Sequence, residues 1–483
     1  MQRILGPDRL ARLVGDFDRT PAYRGLSDAL RELIGDGRIP MGTRLPSERS
    51  VAEVLDLSRT TVTRAYADLV ESGFATARQG SGTYAAAPID RRRAHDRTLQ
   101  RSVSGPRADD DIDLTVAASA ATPGVAAAYE RATAALPSYL GGDGYLPSGL
   151  PELQVAVAQT YDDRGLPTDP EQIVITSGAL SAVAVVARAL SRPGDRVMVE
   201  TPVYANAIEA LRLGGGRLVG SPLADPLGPA GWDLDGVEAT LRQTAPHLAY
   251  LIPDFQNPTG HLMSDADRER YARALAAART TAIVDETLQP TSVTGAAMPA
   301  PFAAYASDAI SIGSAAKAFW GGLRVGWIRA PRQLVDRLVT ARVHIDLGSS
   351  LVDQLAVGEL LGDEEVLARR RETLREQRDA LAAALAEHLP SWRFRLPDGG
   401  LALWVQLPDG SATRLAAAAE RTGVHVTPGP VFTVEGGADS WLRIPFTRPG
   451  DVLATAVERL AESWATTREP GRGERRTARV LVA

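Results

Sequence analysis

The chain of 483 residues contains no cysteine, which excludes disulfides, thiolate metal ligands and a cysteine nucleophile. Lysine is almost absent too: of 53 basic side chains, 52 are arginine and one, Lys317, is lysine. No apolar run reaches the roughly 18 residues that a membrane helix needs. The most apolar stretch, Leu180 to Leu190, is short and holds Arg188. The N-terminus, MQRILGPDRLARLVGDF, is amphipathic and punctuated by arginine, without the apolar centre of a signal peptide. A soluble, cytoplasmic, multidomain protein with no membrane partner and no metal is expected. At roughly 150 residues per domain the length suggests about three units, and a hydrophobic fraction of 44% is ordinary for chains with a large core.

The scarcity of lysine gives the one that remains a chemical meaning. Arginine serves surface charge and ion pairing at least as well, but its pKa above about 12 keeps it from attacking a carbonyl. Lys317 is therefore a candidate Schiff-base nucleophile, although a lone surface lysine surviving by chance gives the same count. The charge is uneven as well. Residues 1–107 carry 18 basic against 13 acidic side chains, whereas the remainder carries 35 against 46. A basic N-terminal part on an acidic body fits a polyanionic partner at that end.

Three zones and a tail follow from the patterning. Residues 1–85 alternate helical patterns with tight turns. Residues 86–111 are charged, poor in large apolar residues and read as an exposed linker. From Ile112 short apolar runs (IVIT, RVMVE, AYLIP, TAIVDE, AISIGS) alternate with helix-length segments, the signature of a mostly parallel sheet covered on both faces. GLALWVQL and Trp441 to Pro445 suggest a smaller α+β unit within 112–466, and residues 467–483 form an arginine-rich tail that is expected to be disordered.

In the first zone, Ser47 and Ser58 are good N-caps for two helices separated by the turn Leu55-Asp56-Leu57, which makes a helix-turn-helix. The start of a second helix of this kind reaches the major groove, here with Arg59, Thr60 and Thr61, followed by Thr63 and Arg64. FATARQGSGTYAA reads as a hairpin around Gly80-Ser81-Gly82 that could form a wing. An ordinary helical hairpin with solvated arginine and threonine would show much of the same pattern. The run GTRLPSERSVAEVLDLSRTTVTRAYADLVESGFATARQGSGTYA closely resembles the winged-helix domain of GntR-type transcription regulators. The resemblance implies double-stranded DNA as partner, with Arg49, Arg59, Thr60, Thr61 and the adjacent Arg64 at the contact face and Gly80 at the wing tip. That family often has arginine where Thr63 stands.

In the large zone, a phosphate-bearing aldehyde cofactor on Lys317 would need hydroxyls, cations and a helix N-terminus nearby. Ser314 and Arg324 flank the lysine, and Ser177-Gly178-Ala179 forms a small-residue turn between a strand and a helix. Three further residues fit pyridoxal 5'-phosphate: Asp285 for the ring nitrogen, Asn257 for the phenolic oxygen and Tyr204 for stacking. Each also has a duller explanation, as a cap, a turn or core. In order, GDGYLPSGLPEL, ITSGAL, ETPVYAN, FQNPTG, IVDE, SxxK with GGLRVGW, and LRIPF resemble fold-type I aminotransferases over some 350 residues. The resemblance implies that Lys317 carries the internal aldimine and Asp285 the pyridinium contact. It also implies that Ser177, Gly178, Ala179, Ser314 and Arg324 cradle the phosphate, that Tyr145 reaches the neighbouring subunit's phosphate, and that Arg443 grips an α-carboxylate. Thr287 and Leu288 stand where a tyrosine is usual, Gln154 ends PELQ where arginine is usual, and Ala316 replaces a serine.

A GntR-type winged helix, a linker and an aminotransferase-like domain in one chain resemble the MocR/GabR-type regulators. That resemblance implies a head-to-tail homodimer in which an amine or amino-acid effector exchanges with Lys317 on the cofactor and biases DNA binding. An active aminotransferase carrying a DNA-binding appendage is the alternative, and a cofactor-free dimerisation scaffold a third. Thr287 and Leu288 leave open whether full transamination turns over.

Overall fold

The structure, a computed structural model, describes residues 4–35, 39, 42–78, 82–86, 111–295 and 297–468. They group into two compact units, one through Asp113 together with Asp409–His425 and the chain from Arg459, the other Leu114–Pro408 with Val426–Glu458. In the first unit α1 (Pro7–Val14), α2 (Ala22–Gly35), α3 (Glu48–Val54) and α4 (Arg59–Glu71) precede an antiparallel hairpin of β1 (Ala75–Arg78) and β2 (Gly82–Ala85). The expected caps are present. Ser47 Oγ accepts from the Ser50 amide at 3.2 Å and Ser58 Oγ from the Thr61 amide at 3.0 Å. The turn between α3 and α4 places Asp56 at φ 51°, in the left-handed region. Leu26, Leu30, Val51, Val62 and Leu69 form the core, and Tyr66 is buried with its hydroxyl donated to the Pro46 carbonyl at 2.9 Å. The expected linker and wing tip, Gly80 included, lie outside the described residues. The two-residue strand β3 (Ile112–Asp113) runs parallel to Val424–His425.

In chain order the second unit then builds α5 (Val125–Ala135), α6 (Pro151–Asp162), β4 (Ile173–Thr176), α7 (Ala179–Leu190), β5 (Arg196–Thr201), α8 (Ala205–Leu213) and β6 (Arg217–Pro222). There follow α9 (Leu234–Thr244), β7 (Leu248–Leu251), α10 (Asp265–Ala278), β8 (Thr281–Asp285), β9 (Ile310–Ser314), α11 (Ala315–Ala318) and β10 (Gly326–Arg329). Next come α12 (Arg332–Val343), α13 (Leu351–Leu360), α14 (Glu364–His388), β11 (Arg393–Phe394) and β12 (Ala402–Gln406). The chain ends with α15 (Ala412–Ala419), β13 (Val424–His425), β14 (Thr427–Pro428), β15 (Trp441–Pro445) and α16 (Gly450–Arg468). Of these, α15, β13 and the end of α16 belong to the first unit.

The seven-stranded sheet has the order β4-β10-β9-β8-β7-β5-β6, and β10 alone is antiparallel to its neighbours. Separate apolar clusters, one around Ile175, Leu251 and Val284 and one around Val174, Val199 and Ile283, cover the two faces. Burial on both faces is why the strands read as unbroken apolar runs. A four-stranded antiparallel sheet, β11-β12-β15-β14, forms the smaller α+β part. The helix α16 continues to Arg468, two residues into the stretch expected as tail. No helix among the described residues is long and apolar enough to cross a membrane, and no group of three or more metal-ligating side chains was found among them.

Below the turn that follows β7, a fully buried ion pair fixes the backbone. Arg268 donates to Asp254 at 2.6 Å and to the carbonyls of Met263 and Ala300 at 3.0 and 2.9 Å. Removing one member of such a pair leaves an uncompensated buried charge. Asp254→Ala is expected to destabilise the large unit by about 3–5 kcal/mol, read as a lower midpoint in urea denaturation, while Asp233→Ala on the surface should cost about 1 kcal/mol as a lost helix cap.

Candidate functional site

Five segments that carry predicted site residues leave the sheet where the parallel strands end, the edge at which open α/β sheets bind ligands. β8 ends in Asp285, which is buried. Its Oδ2 accepts the Tyr250 hydroxyl at 2.5 Å and its Oδ1 the Thr287 amide at 2.9 Å. Tyr250, from the neighbouring β7, was not singled out by the sequence, where it reads as one more aromatic in an apolar strand. Asp285 is thus pinned from two sides, and Thr287 contributes a backbone N–H rather than the missing phenol.

Lys317 sits in the short α11 directly after β9 and donates its Nζ to the Ala117 carbonyl at 2.8 Å. Burial, and then the nearby Arg443 and Arg324 against the opposing pull of Asp285, pushes its ammonium down to about 8. Arg443 projects from β15. Its Nη2 donates to the Thr115 carbonyl at 2.6 Å, its Nη1 to Asn257 Oδ1 at 3.4 Å, and its guanidinium lies 4.7 Å above the Phe432 ring. Its Nε is buried without a partner. Burial pulls this guanidinium down to about 10, with Tyr204 the opposing influence.

Asn257 is held by its neighbour in sequence. Gln256 Nε2 donates to Glu200 at 3.1 Å and to the Pro202 carbonyl at 2.8 Å, and Gln256 Oε1 accepts from the Thr259 amide at 3.1 Å. Glu200 itself is buried, which pushes its carboxyl up to about 7 against the hydrogen bonds from Trp232, Gln256 and the Ile252 amide. The Tyr204 hydroxyl accepts from Asn206 at 2.9 Å. Arg443 thus reaches Asn257 by a hydrogen bond and Lys317 and Tyr204 by charge, and Asp285 acts on the same lysine.

The second group lies where β4 turns into α7. Gly178 has φ 96°, and a Cβ there would stand 2.8 Å from Arg324 Nη2, so this close approach requires glycine. Arg324 Nη2 donates to the Ser177 carbonyl at 3.1 Å. Ser314 donates to the Val325 carbonyl at 3.2 Å and accepts the Ala316 amide at 3.1 Å. The N-terminus of α7, beginning at Ala179, and the Arg324 cation together suit one phosphate. The Ser177 hydroxyl, assigned to the phosphate by resemblance, points instead to Asp346 at 3.1 Å and shares a hydrogen bond with Ser349 at 3.2 Å. Asp346 was not foreseen; it is tied to the buried Arg342 at 2.9 Å. Arg324 with a helix start, the amine of Lys317 and the carboxylate of Asp285 match the donor set that the phosphate, aldehyde and ring nitrogen of pyridoxal 5'-phosphate need. Tyr145 is not part of this group within one chain: it is 60% exposed, and its amide donates to Asp143 at 3.0 Å.

At the other candidate interface Arg49, Arg59 and Thr60 are exposed, and Thr61 is half-buried. The hydroxyls of Thr60 and Thr61 lie 2.8 and 2.7 Å from Ser58 Oγ. Thr63 donates to Glu48 at 2.7 Å. Arg64 stacks 3.9 Å above the Tyr23 ring, an aromatic contact that competes with any reach toward a base edge.

A lysine amine held near 8 is half free at that pH. The rate at which cofactor-free protein takes up pyridoxal 5'-phosphate covalently, followed by near-visible absorbance, should rise about tenfold per pH unit below 8 and level off above it. Continued rise toward the ordinary lysine pKa would contradict the assigned environment.

Residues 22–85 match the bacterial regulatory proteins of the gntR family, and residues 134–460 match aminotransferase class I and II. The 2-aminoadipate transaminase of Thermus thermophilus is 33% identical over 67% of this chain and 81% of its own. The probable rhizopine catabolism regulatory protein MocR of Rhizobium meliloti is 30% identical over 79% and 80%. An uncharacterized HTH-type transcriptional regulator of Bacillus subtilis, YisV, is 27% identical over 92% and 96%. Among solved structures, LysN, the alpha-aminoadipate aminotransferase of Thermus thermophilus, complexed with N-(5'-phosphopyridoxyl)-L-leucine, superposes with a TM-score of 0.66 at 30% identity, covering 74% of this chain and 93% of that one. With both families matched in this order and MocR matched over four fifths of its length, the chain belongs to the MocR-type regulators, a gntR-family helix-turn-helix joined to an aminotransferase class I and II domain.

Proposed function

We propose that the large unit binds pyridoxal 5'-phosphate through Lys317 and senses an amine or amino acid, and that the winged helix binds double-stranded operator DNA according to that occupancy. One observation carries this reading: Arg443, buried, and Lys317, half-buried, act on each other in the same cleft, and each faces a backbone carbonyl rather than a carboxylate. Two such cations are costly to bury unless a ligand compensates them. When bound, the cofactor supplies an aldehyde for which Lys317 and an effector amine compete. Asp285, pinned by Tyr250 and Thr287, would hold the ring nitrogen. Asn257 would face the phenolic oxygen, Tyr204 the ring, and Gly178, Ala179, Ser314 and Arg324 the phosphate, with Ser177 joining once its hydroxyl leaves Asp346. The LysN complex, whose ligand joins a phosphopyridoxyl group to an amino acid, supports this class of effector.

Arg443 selects a carboxylate, because its Nε is buried and unpartnered and a planar fork suits that group. Turnover as an aminotransferase is the weaker reading: Thr287 offers only its amide to Asp285, and Leu288 is buried and aliphatic, so neither supplies a phenol. A second copy of the chain would cover the exposed Leu140, Tyr145, Ile345 and Leu347 and bring Tyr145 to the neighbouring phosphate. A DNA-binding regulator of this kind works in the cytoplasm. To move the reader from 1:99 to 99:1 between two arrangements, the effector must prefer one by about 5.5 kcal/mol.

The test is operator binding by the cofactor-loaded protein with and without amino acids. Lys317→Ala should still bind operator but lose all ligand dependence; unchanged ligand dependence would refute the proposal. Arg59→Ala should weaken operator binding by about 1–3 kcal/mol without altering cofactor absorbance.

A further inference from the structure

Lys317 sits in α11, a helix of four residues. The last carbonyls of a helix lack partners within it, and a single turn is too short to hold its own shape. What fixes this turn comes from another helix. Arg370, on the long α14, is buried and turns its guanidinium onto the C-terminal end of α11. Its Nε donates to the Ala318 carbonyl at 3.2 Å and its Nη2 to the Phe319 carbonyl at 2.7 Å. Nη2 also donates to the Ala120 carbonyl at 2.6 Å. Ala120 lies just past Ala117, whose carbonyl faces Lys317 Nζ at 2.8 Å. The Thr122 amide donates to the same Phe319 carbonyl at 3.2 Å and closes the joint. One side chain thus ties the turn that carries the amine to the segment that faces it.

The arginine beside it in sequence behaves differently. Arg369 is exposed and pairs with Glu365 one turn back on α14. Arg370 is instead drawn by burial below the usual arginine range. A guanidinium offers several donors in a fixed plane, so it can hold carbonyls of two segments at set positions, which a flexible ammonium cannot. We propose that Arg370 is the positioning residue of the Schiff-base amine, a clip that holds α11 against residues 117–120 so that Lys317 stays in the cleft. This inference rests on the reading of Lys317 as the cofactor's amine and adds the group that sets where that amine stands. The clip works through the main chain. The charges acting on the Lys317 ammonium are Arg443 of β15, Asp285 of β8 and Arg324, and burial acts on it more strongly than any of them. Loosening α11 lets water reach Nζ and returns its hold on the proton toward that of an ordinary lysine.

Because the chain has one lysine, full-length protein grown with lysine carbon-13-labelled at the ε-carbon gives a single signal that titrates with Lys317. Measured by NMR without cofactor, the wild-type midpoint should fall at about 8. Arg370→Met, and Arg370→Lys, which keeps the charge but not the fork, should each make Lys317 hold its proton about tenfold or more tightly, seen as a higher midpoint. Arg369→Met, on the exposed side of the same helix, should leave the midpoint where it is. A merely structural Arg370 would lower the melting temperature of its variants with the midpoint unmoved, and that result would overturn the clip. A shift in Arg370→Met that Arg370→Lys lacks would assign the effect to charge and overturn it too, as would an equal shift in Arg369→Met. If Arg370→Met does not fold, Arg370→Lys decides alone. A wild-type protein that takes up no pyridoxal 5'-phosphate would instead count against the proposed function, and the titration, which needs no cofactor, would still decide the clip.

Discussion

A primary amine that is to attack an aldehyde near neutral pH has to hold its proton loosely, and much of the large unit bears on how the half-buried Lys317 is brought to that state. Moving an ammonium into a protein interior costs several kcal/mol even after relaxation. Here the cost is met in part by the attraction of Asp285 and the Ala117 carbonyl, and raised by Arg443 and Arg324. The outcome is an amine whose proton is loosely held. Asp285 can play its part only if it stays in place, and Tyr250 and the Thr287 amide hold both of its oxygens. The constraint thus reaches from one side chain into β7, β8 and the turn beyond them.

The same cleft is held largely by main-chain atoms. Its two cations are answered by main-chain oxygens from one short segment, and Ser177 is diverted toward Asp346. One chain joins this domain to a helix-turn-helix whose second helix presents Arg59 and Thr60 to solvent. It is the family membership that shows a regulator.

The sequence disclosed the strands that are buried on both faces, because IVIT, RVMVE, AYLIP, TAIVDE and AISIGS have no solvent side to mark with polar residues. It did not disclose β6, an edge strand whose residues are partly exposed, nor β10, a four-residue strand hidden inside the glycine-rich stretch that carries Arg324. In the cleft, Lys317, Asp285, Asn257, Tyr204 and Arg443 were legible since each chemistry requires that residue type. Thr115 and Ala117 were not, because a backbone carbonyl carries no residue identity. Tyr250 and Glu200 stayed hidden among core residues, and the stacking of Arg64 on Tyr23 joins two helices that no local pattern connects.

The central claim is that covalent occupancy at Lys317 sets the state of the DNA reader. The most direct measurement follows near-visible absorbance and operator affinity in parallel while one sample of cofactor-loaded wild-type protein is titrated with an amino acid. The account predicts that both signals change together, with the same midpoint. A complete absorbance change with operator affinity held constant would contradict it.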